Sequence, residues 1–354
     1  MKINLLQKVM LLCAGAVITL TSCERDPDPD ITAENLKGMF VVCEGAYGSA
    51  EGDITYYNTA DGSSIKSLFY SVNAVEAGDI LQSFAIADTL GFLIVNNSQK
   101  VIVISMKTFE TVKTITGFSY PRHVTRADEN TIYVTNGNGS AENYIYSIDL
   151  TTLEKSDSIE VSTGPETLIT VGSSVYASIS GGWNNDGNTV VKINPATFTI
   201  TGTYNVGSCP VDLAADKDKN IWVYCKGTPD YSNYPDISYT GMGLSKINAS
   251  TGNVTTLAFT EMVSSGIYNI AASPDGNTIY YLNDGLYAVS STAASLPSSA
   301  LIESSFYGIG VDPESGNIVG LDAVDSKAVV YNTNGVEQFN FETGDYPNAV
   351  IFNY

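Results

Sequence analysis

Between Leu81 and Cys225 the chain rewrites one pattern at intervals that few folds accommodate. Tetrapeptides of similar character begin at Leu81 (LQSF), Pro121 (PRHV), Pro165 (PETL) and Pro210 (PVDL), 40, 44 and 45 residues apart. The copy from Pro165 to Cys209 shows what each interval contains. LITV leads to a turn at Gly172-Ser173-Ser174, and SVYASIS alternates into a polar loop, Gly181 to Asn188. TVVKIN runs into the Asn194-Pro195 turn, and TITGTYNV ends at Gly207. Four short strands joined by turn chemistry predict an antiparallel meander. Four strands per roughly 40–45 residues is the period of a propeller blade, not of a helical solenoid.

Weaker copies begin at Ile267 (IYNI), Phe306 (FYGI) and Pro347 (PNAV). The step from Pro210 to Ile267 is 57 residues, so that blade carries an insertion, roughly Lys226 to Met242. The matching second strands are FVVCEG, FLIVNN, IYVTNG, VYASIS, IWVYCK, IYYLND and IVGLDA, which makes seven blades. The N-terminal copy begins directly at a second strand, Met39 to Glu44, while the C-terminal PNAVIFNY is a first strand with nothing after it. Pairing the two removes the exposed edges an open repeat would leave. The expected fold is all-β: a seven-bladed β-propeller over residues 38–354, with four-stranded antiparallel blades and a ring closed by the C-terminal strand on the N-terminal blade.

Residues 1–22 read as a signal peptide, with Lys2 and Lys8 before an apolar run, Val9 to Leu20, too short to span a bilayer stably. Leu20-Thr21-Ser22-Cys23 resembles a bacterial lipobox, which implies lipidation at Cys23; plain secretion with an incidental cysteine is the alternative. Residues 23–37 form an acidic linker in which Glu24, Asp26, Asp28 and Asp30 are interleaved with Pro27 and Pro29. It resembles the acidic export tags of Bacteroidetes surface lipoproteins, implying the extracellular face of the outer membrane with membrane contact through the lipid alone.

The formal net charge is -21, and near -23 without the leader. That sign, with no basic stripe to offset it, excludes nucleic acid as a partner. Cys43, Cys209 and Cys225 remain after processing, an odd number without metal-ligand spacing. Cys43 and Cys225 fall in second strands and are expected to be buried free thiols. Cys209, at a blade start, is the one expected to be exposed.

Catalytic signatures are missing: no GxSxG elbow, Walker loop or HExxH is present, and His123 is the only histidine. No catalytic residue, cofactor or metal ligand is therefore assigned. Two carboxylates from separate blades could still form a glycosidase pair, which linear spacing does not exclude. Asp216-Lys217-Asp218-Lys219-Asn220 lacks the glycine and closing Glu of a calcium loop and reads as a solvated turn. His123 reads as a hydrogen-bonded residue lining the pore.

What is left is a binding surface. In a propeller, the loops between second and third strands share a face with the loops that link blades. Here the first set carries Tyr47, Asn97, Gln99, Asn136, Trp183 and Asn184, the insertion adds Lys226 and Tyr231, and Asp284 and Asp322 follow. The blade starts add Arg122, Glu166, Tyr268, Tyr307 and Tyr346. Tyrosine and tryptophan beside amides offer flat apolar area with hydrogen bonds at low entropic cost, suited to a large, polar-edged ligand. The plainer alternative is that Tyr and Asn decorate turns, and with 22 tyrosines some would fall on any face.

The segments GMFVVCEGAYGSAEGDITYYN, GDILQSFAIADTLGFLIVNNSQKVIVIS, GPETL, SGGWNNDGNTVVKINPATF and GIGVDPESGNI resemble the YncE/YVTN-type propellers of Bacteroidetes surface lipoproteins, over essentially all of Gly38 to Tyr354. Within that group the likeness is greatest to the cobalamin-capturing BtuG lipoproteins. The resemblance implies a non-enzymatic surface protein that binds cobalamin or another corrinoid on its loop face and delivers it to a TonB-dependent outer-membrane transporter. Two other classes stay open: an adhesion or surface-layer module, and a propeller enzyme acting on glycans.

Overall fold

The computed structural model describes residues 36–139, 142–235, 237–260 and 268–354. The leader, the lipidation at Cys23 and the linker up to residue 35 lie outside the described residues, as does Ile267.

Seven blades are arranged in a ring, and their cores explain the apolar runs of the second strands. In the first blade, Gly38–Cys43 is buried at every position. Its side chains alternate between two neighbours. Phe40 and Val42 pack with Phe84 and Leu93 of the second blade, whereas Met39 and Val41 pack with Val319 and Leu321 of the seventh. A strand covered on both faces is apolar at both parities of the period-two alternation. Among the described residues there are seven hydrophobic clusters, one between each pair of adjacent blades. Outer strands such as Glu154–Glu160 and Thr199–Asn205 meet solvent and are polar.

Closure follows the sequence expectation. Pro347–Asn353 pairs antiparallel with Gly38–Cys43, from Gly38 opposite Asn353 to Cys43 opposite Pro347. That sheet runs in the order Pro347–Asn353, Gly38–Cys43, Asp53–Tyr57, Ser64–Ile65. Five further blades are complete four-stranded sheets, and the sixth is the exception. Its sheet has three strands, Ile270–Ala272, Thr278–Leu282 and Leu286–Ser290. In place of a fourth, Ile302 forms a single bridge to Leu286. The segment before it, STAASLPSSA, is poor in β-branched and aromatic residues and contains a proline that cannot donate to a ladder. The insertion folds as its own hairpin, Thr228–Asp230 against Ser238–Thr240.

Two readings need correction. Cys209 is fully buried, not exposed. Its backbone is left-handed (φ 51°) and is clamped between loops, its N–H donating to Gly187 O and its carbonyl accepting from Lys226 N. Asp216 does start a turn whose tip, Lys217 to Lys219, is exposed as expected, but Asp216 and Asn220 themselves are buried. It accepts hydrogen bonds from Asn220 Nδ2 and from Trp222 Nε1 at 3.1 Å, and pairs with Lys246 at 3.2 Å. The carboxylate is drawn inward because Trp222, buried in the cluster between the fifth and sixth blades, needs an acceptor for its indole N–H.

Candidate functional site

The strand Gly38–Cys43 ends at Glu44, on the wall of a cavity of about 520 Å³ at the mouth of the central pore. All seven blades contribute the second residue of their opening tetrapeptides: Gln82, Arg122, Glu166, Val211, Tyr268, Tyr307 and Asn348. A layer below comes from the third residues, Ser83, His123, Thr167, Asp212, Asn269 and Ala349. Backbone irregularity at these starts aims the side chains inward. The register shifts between Leu81 and Ser83, Pro121 and Val124, Pro165 and Leu168, and Pro210 and Asp212. Such bulges unpair one residue of the inner strand and turn it toward the axis.

The cavity has two unlike sides. Blades one to four carry a continuous polar arc. Asn348 Nδ2 donates to Glu44 Oε1 (2.7 Å) and to Gln82 O (3.0 Å). Arg122 Nη1 donates to Gln82 Oε1 at 2.5 Å, and its Nε and Nη2 both donate to Glu166 Oε1, the former at 2.9 Å. His123 Nε2 lies 3.5 Å from the same Glu166 oxygen. Blades five to seven present Val211, Tyr268 and Tyr307 above Asp212 and Asn269, with the Lys226 Nζ 5.5 Å from the Tyr268 ring centroid. At the rim, Trp183 is 68% exposed and packs edge-on against Tyr120 at 5.7 Å, and outside the cavity Tyr346 packs edge-on against Tyr307 at 6.3 Å.

The electrostatics separate two carboxyls. Burial alone would push Glu166 up, but the Arg122 guanidinium and His123 outweigh it and hold Glu166 at about 2. Asp212 is raised by burial despite accepting from Ile270 N at 3.0 Å and Asn269 Nδ2 at 2.7 Å. Among buried polar atoms of the described residues, Asn348 Oδ1 has no hydrogen-bond partner. No group of three or more His, Cys, Asp or Glu among them is placed to hold a metal ion.

A family model, "Domain of unknown function (DUF5074)", matches residues 37–354. The chain belongs to the DUF5074 family. No curated protein sequence matches it. This DUF5074 propeller resembles several solved structures at low identity. A quinoprotein alcohol dehydrogenase-like protein from Bacteroides thetaiotaomicron is 17% identical over 90% of this chain and 79% of its own, with a TM-score of 0.66. The periplasmic gluconolactonase of Pseudomonas aeruginosa is 13% identical over 89% and 98%, TM-score 0.64. Apo AztD from Citrobacter koseri is 11% identical over 89% and 97%, TM-score 0.54. At these identities the likeness shows a shared propeller fold.

Of the side chains expected at the site, the DUF5074 fold brings Arg122, Glu166, Trp183, Lys226, Tyr268 and Tyr307 to the cavity. Tyr47, Asn184, Tyr231 and Tyr346 are exposed and stand outside its wall. Five others are held by local structure and not brought there. Asn136 is buried: its Oδ1 accepts from Ser119 N and Tyr120 N, and its Nδ2 donates to Ser119 Oγ and Glu142 O. Asn97 donates to Asp79, and Gln99 occupies a left-handed turn position (φ 55°). Asp284 is also left-handed (φ 55°), and Asp322 accepts from Val324 N and Asp325 N within its own turn. His123 lines the pore as expected. Glu44, Asp212, Asn269 and Asn348 were not singled out. The signal for the last three was the position itself, second or third in each opening tetrapeptide.

Proposed function

We propose that this protein is a surface lipoprotein that captures a corrinoid such as cobalamin at the pore mouth and passes it to a TonB-dependent outer-membrane transporter. The observation that carries the reading is the two-sided cavity. An aromatic side covers the apolar edge of a flat macrocycle, and a polar arc that includes the Gln82 and Asn348 amides answers peripheral amides. A cavity of about 520 Å³ is smaller than a whole corrinoid, so one edge of the ligand enters while Trp183 and the insertion's tyrosines meet the rest. A closed ring fixes these groups before the ligand arrives and lowers the ordering cost of binding.

Tether geometry fits capture. Gly38 and Glu44 stand at opposite ends of one strand, so the chain enters on the face opposite the cavity. A lipid at Cys23 would leave the cavity facing outward, and handing ligand to a transporter in the same membrane then requires the propeller to turn over on its linker. Calorimetric titration with cyanocobalamin tests the reading: saturable one-to-one binding supports it, and no heat with no thermal shift removes it.

The second reading, a glycan-acting enzyme, is favoured by one observation: Glu166 and Asp212 are shifted in opposite directions, as in acid–base pairs. Asp284 and Asp322, placed elsewhere, drop out of that scheme. Glycan hydrolysis lost on Asp212→Asn would establish it; absence of turnover across a glycan panel would end it.

A further inference from the structure

Among the charged side chains of the cavity, Lys226 has the weakest partner within the protein. Arg122 is committed to Glu166 and Gln82. Glu44 accepts from Asn348, Gln82 and Tyr307. Asp212 accepts from Asn269 and two backbone N–H groups. Lys226 is different. It is half-buried, its ammonium lies over the Tyr268 ring, and among the described residues no carboxylate comes within 4.0 Å of it. Its side-chain partner is the Cys209 thiol, a weak acceptor, which burial pushes up to about 11 although the hydrogen bond and charge of Lys226 pull the other way. At neutral pH that thiol is uncharged and neutralises nothing.

In a chain of formal charge -21, a cavity lysine has many acidic groups it could have been paired with. An ammonium partly stripped of water and left without a counter-ion is unfavourable until an anion joins it. Lys226 lines the cavity with an aromatic face beside its ammonium, and a charge-assisted hydrogen bond from it to a ligand is stronger there than in open water.

We propose that Lys226 is the recognition point for a phosphate ester on the ligand, its ammonium donating to a non-bridging oxygen while Tyr268 supports it from below. The inference rests on the corrinoid reading only for the identity of the carrier: the phosphodiester that joins the nucleotide to the corrin side chain in cobalamin. It assigns that end of the ligand to blades five and six and the amide-rich edge to the opposite arc.

Two measurements on the purified chain test it. The first is calorimetry of the wild type, Lys226→Met and Lys226→Arg with cyanocobalamin, which carries the phosphodiester, and dicyanocobinamide, which lacks it. At low salt the wild type is expected to prefer cyanocobalamin by about tenfold, a ratio lost in Lys226→Met, with cobinamide affinity unchanged, and kept in Lys226→Arg. Equal weakening of both ligands, or no preference in the wild type, overturns the inference. The second holds even if neither corrinoid binds, an outcome that removes the corrinoid reading. Millimolar inorganic phosphate, against chloride of equal ionic strength, is expected to slow acetylation of Lys226 selectively among the lysines, as read by peptide mass spectrometry. No selective protection overturns the inference.

Discussion

Tyr307 Oη donates to Glu44 Oε2 across 3.0 Å, although 263 residues separate them in the chain. The same carboxylate accepts from Asn348, 304 residues away. Three elements that meet only when the ring shuts, the seventh blade, the C-terminal strand and the first blade, therefore converge on one side chain at the wall of the cavity. Ring closure and site assembly are one event.

Glu44→Ala is expected to destabilise the fold by about 1–3 kcal/mol, because it takes the acceptor from the half-buried Tyr307 hydroxyl and leaves Asn348 Nδ2 only Gln82 O. Glu44→Gln, which keeps one acceptor, is expected to lose less. Urea unfolding of the two variants checks the order, and equal midpoints would show that the carboxylate is not a closing contact.

Glu166 gives a pH dependence. Its folded-state value is depressed from 4.5 to about 2, so its contribution is present above the unfolded value and lost as pH falls through the folded one. Thermal midpoints should drop between about pH 4.5 and 2 more in the wild type than in Glu166→Gln, whose amide does not titrate in that window. Parallel pH profiles would contradict the assignment.

The chain has two tryptophans, Trp183 exposed at the rim of the cavity and Trp222 buried between the fifth and sixth blades. Ligand entering the mouth should quench the emission of Trp183 and leave that of Trp222. In Trp183→Phe the ligand-dependent change is expected to vanish even where calorimetry still detects binding. A change that persists would place the ligand elsewhere.

Gly164 has a left-handed backbone (φ 68°), and a Cβ there would stand 2.0 Å from Gly182 N, in the loop that carries Trp183. Gly164→Ala should cost about 2 kcal/mol or more from the left-handed strain and the overlap together. It should also displace Trp183. Loss of stability is read by denaturant melts, and the displacement by Trp183 emission without ligand.

Asp216→Ala strips the acceptor from Trp222 Nε1 and Asn220 and leaves Lys246 without its partner. A loss of about 3–5 kcal/mol is expected, typical of breaking a buried charged hub. A surface-like loss, below about 0.5 kcal/mol, would show that the Asp216 carboxylate is not a buried hub.

Repeat spacing alone gave the blade count and the closure, because turn residues and apolar runs are local features and survive in linear order. It also identified the position class of the pore residues, since each blade start repeats. Sequence reasoning failed where a side chain's fate depends on a neighbour from another blade. Asn136 looks like a loop amide but is consumed by the backbone of the preceding link. Cys209 looks exposed but is roofed by two loops. Glu44 looks like the end of a strand but gathers three partners from distant parts of the chain. The chain determines its architecture through period, pattern and turn chemistry. Which polar groups are paired, and that Lys226 faces the cavity without a carboxylate, is decided only when seven blades meet, because pairing across a pore depends on distances through space that linear spacing does not encode.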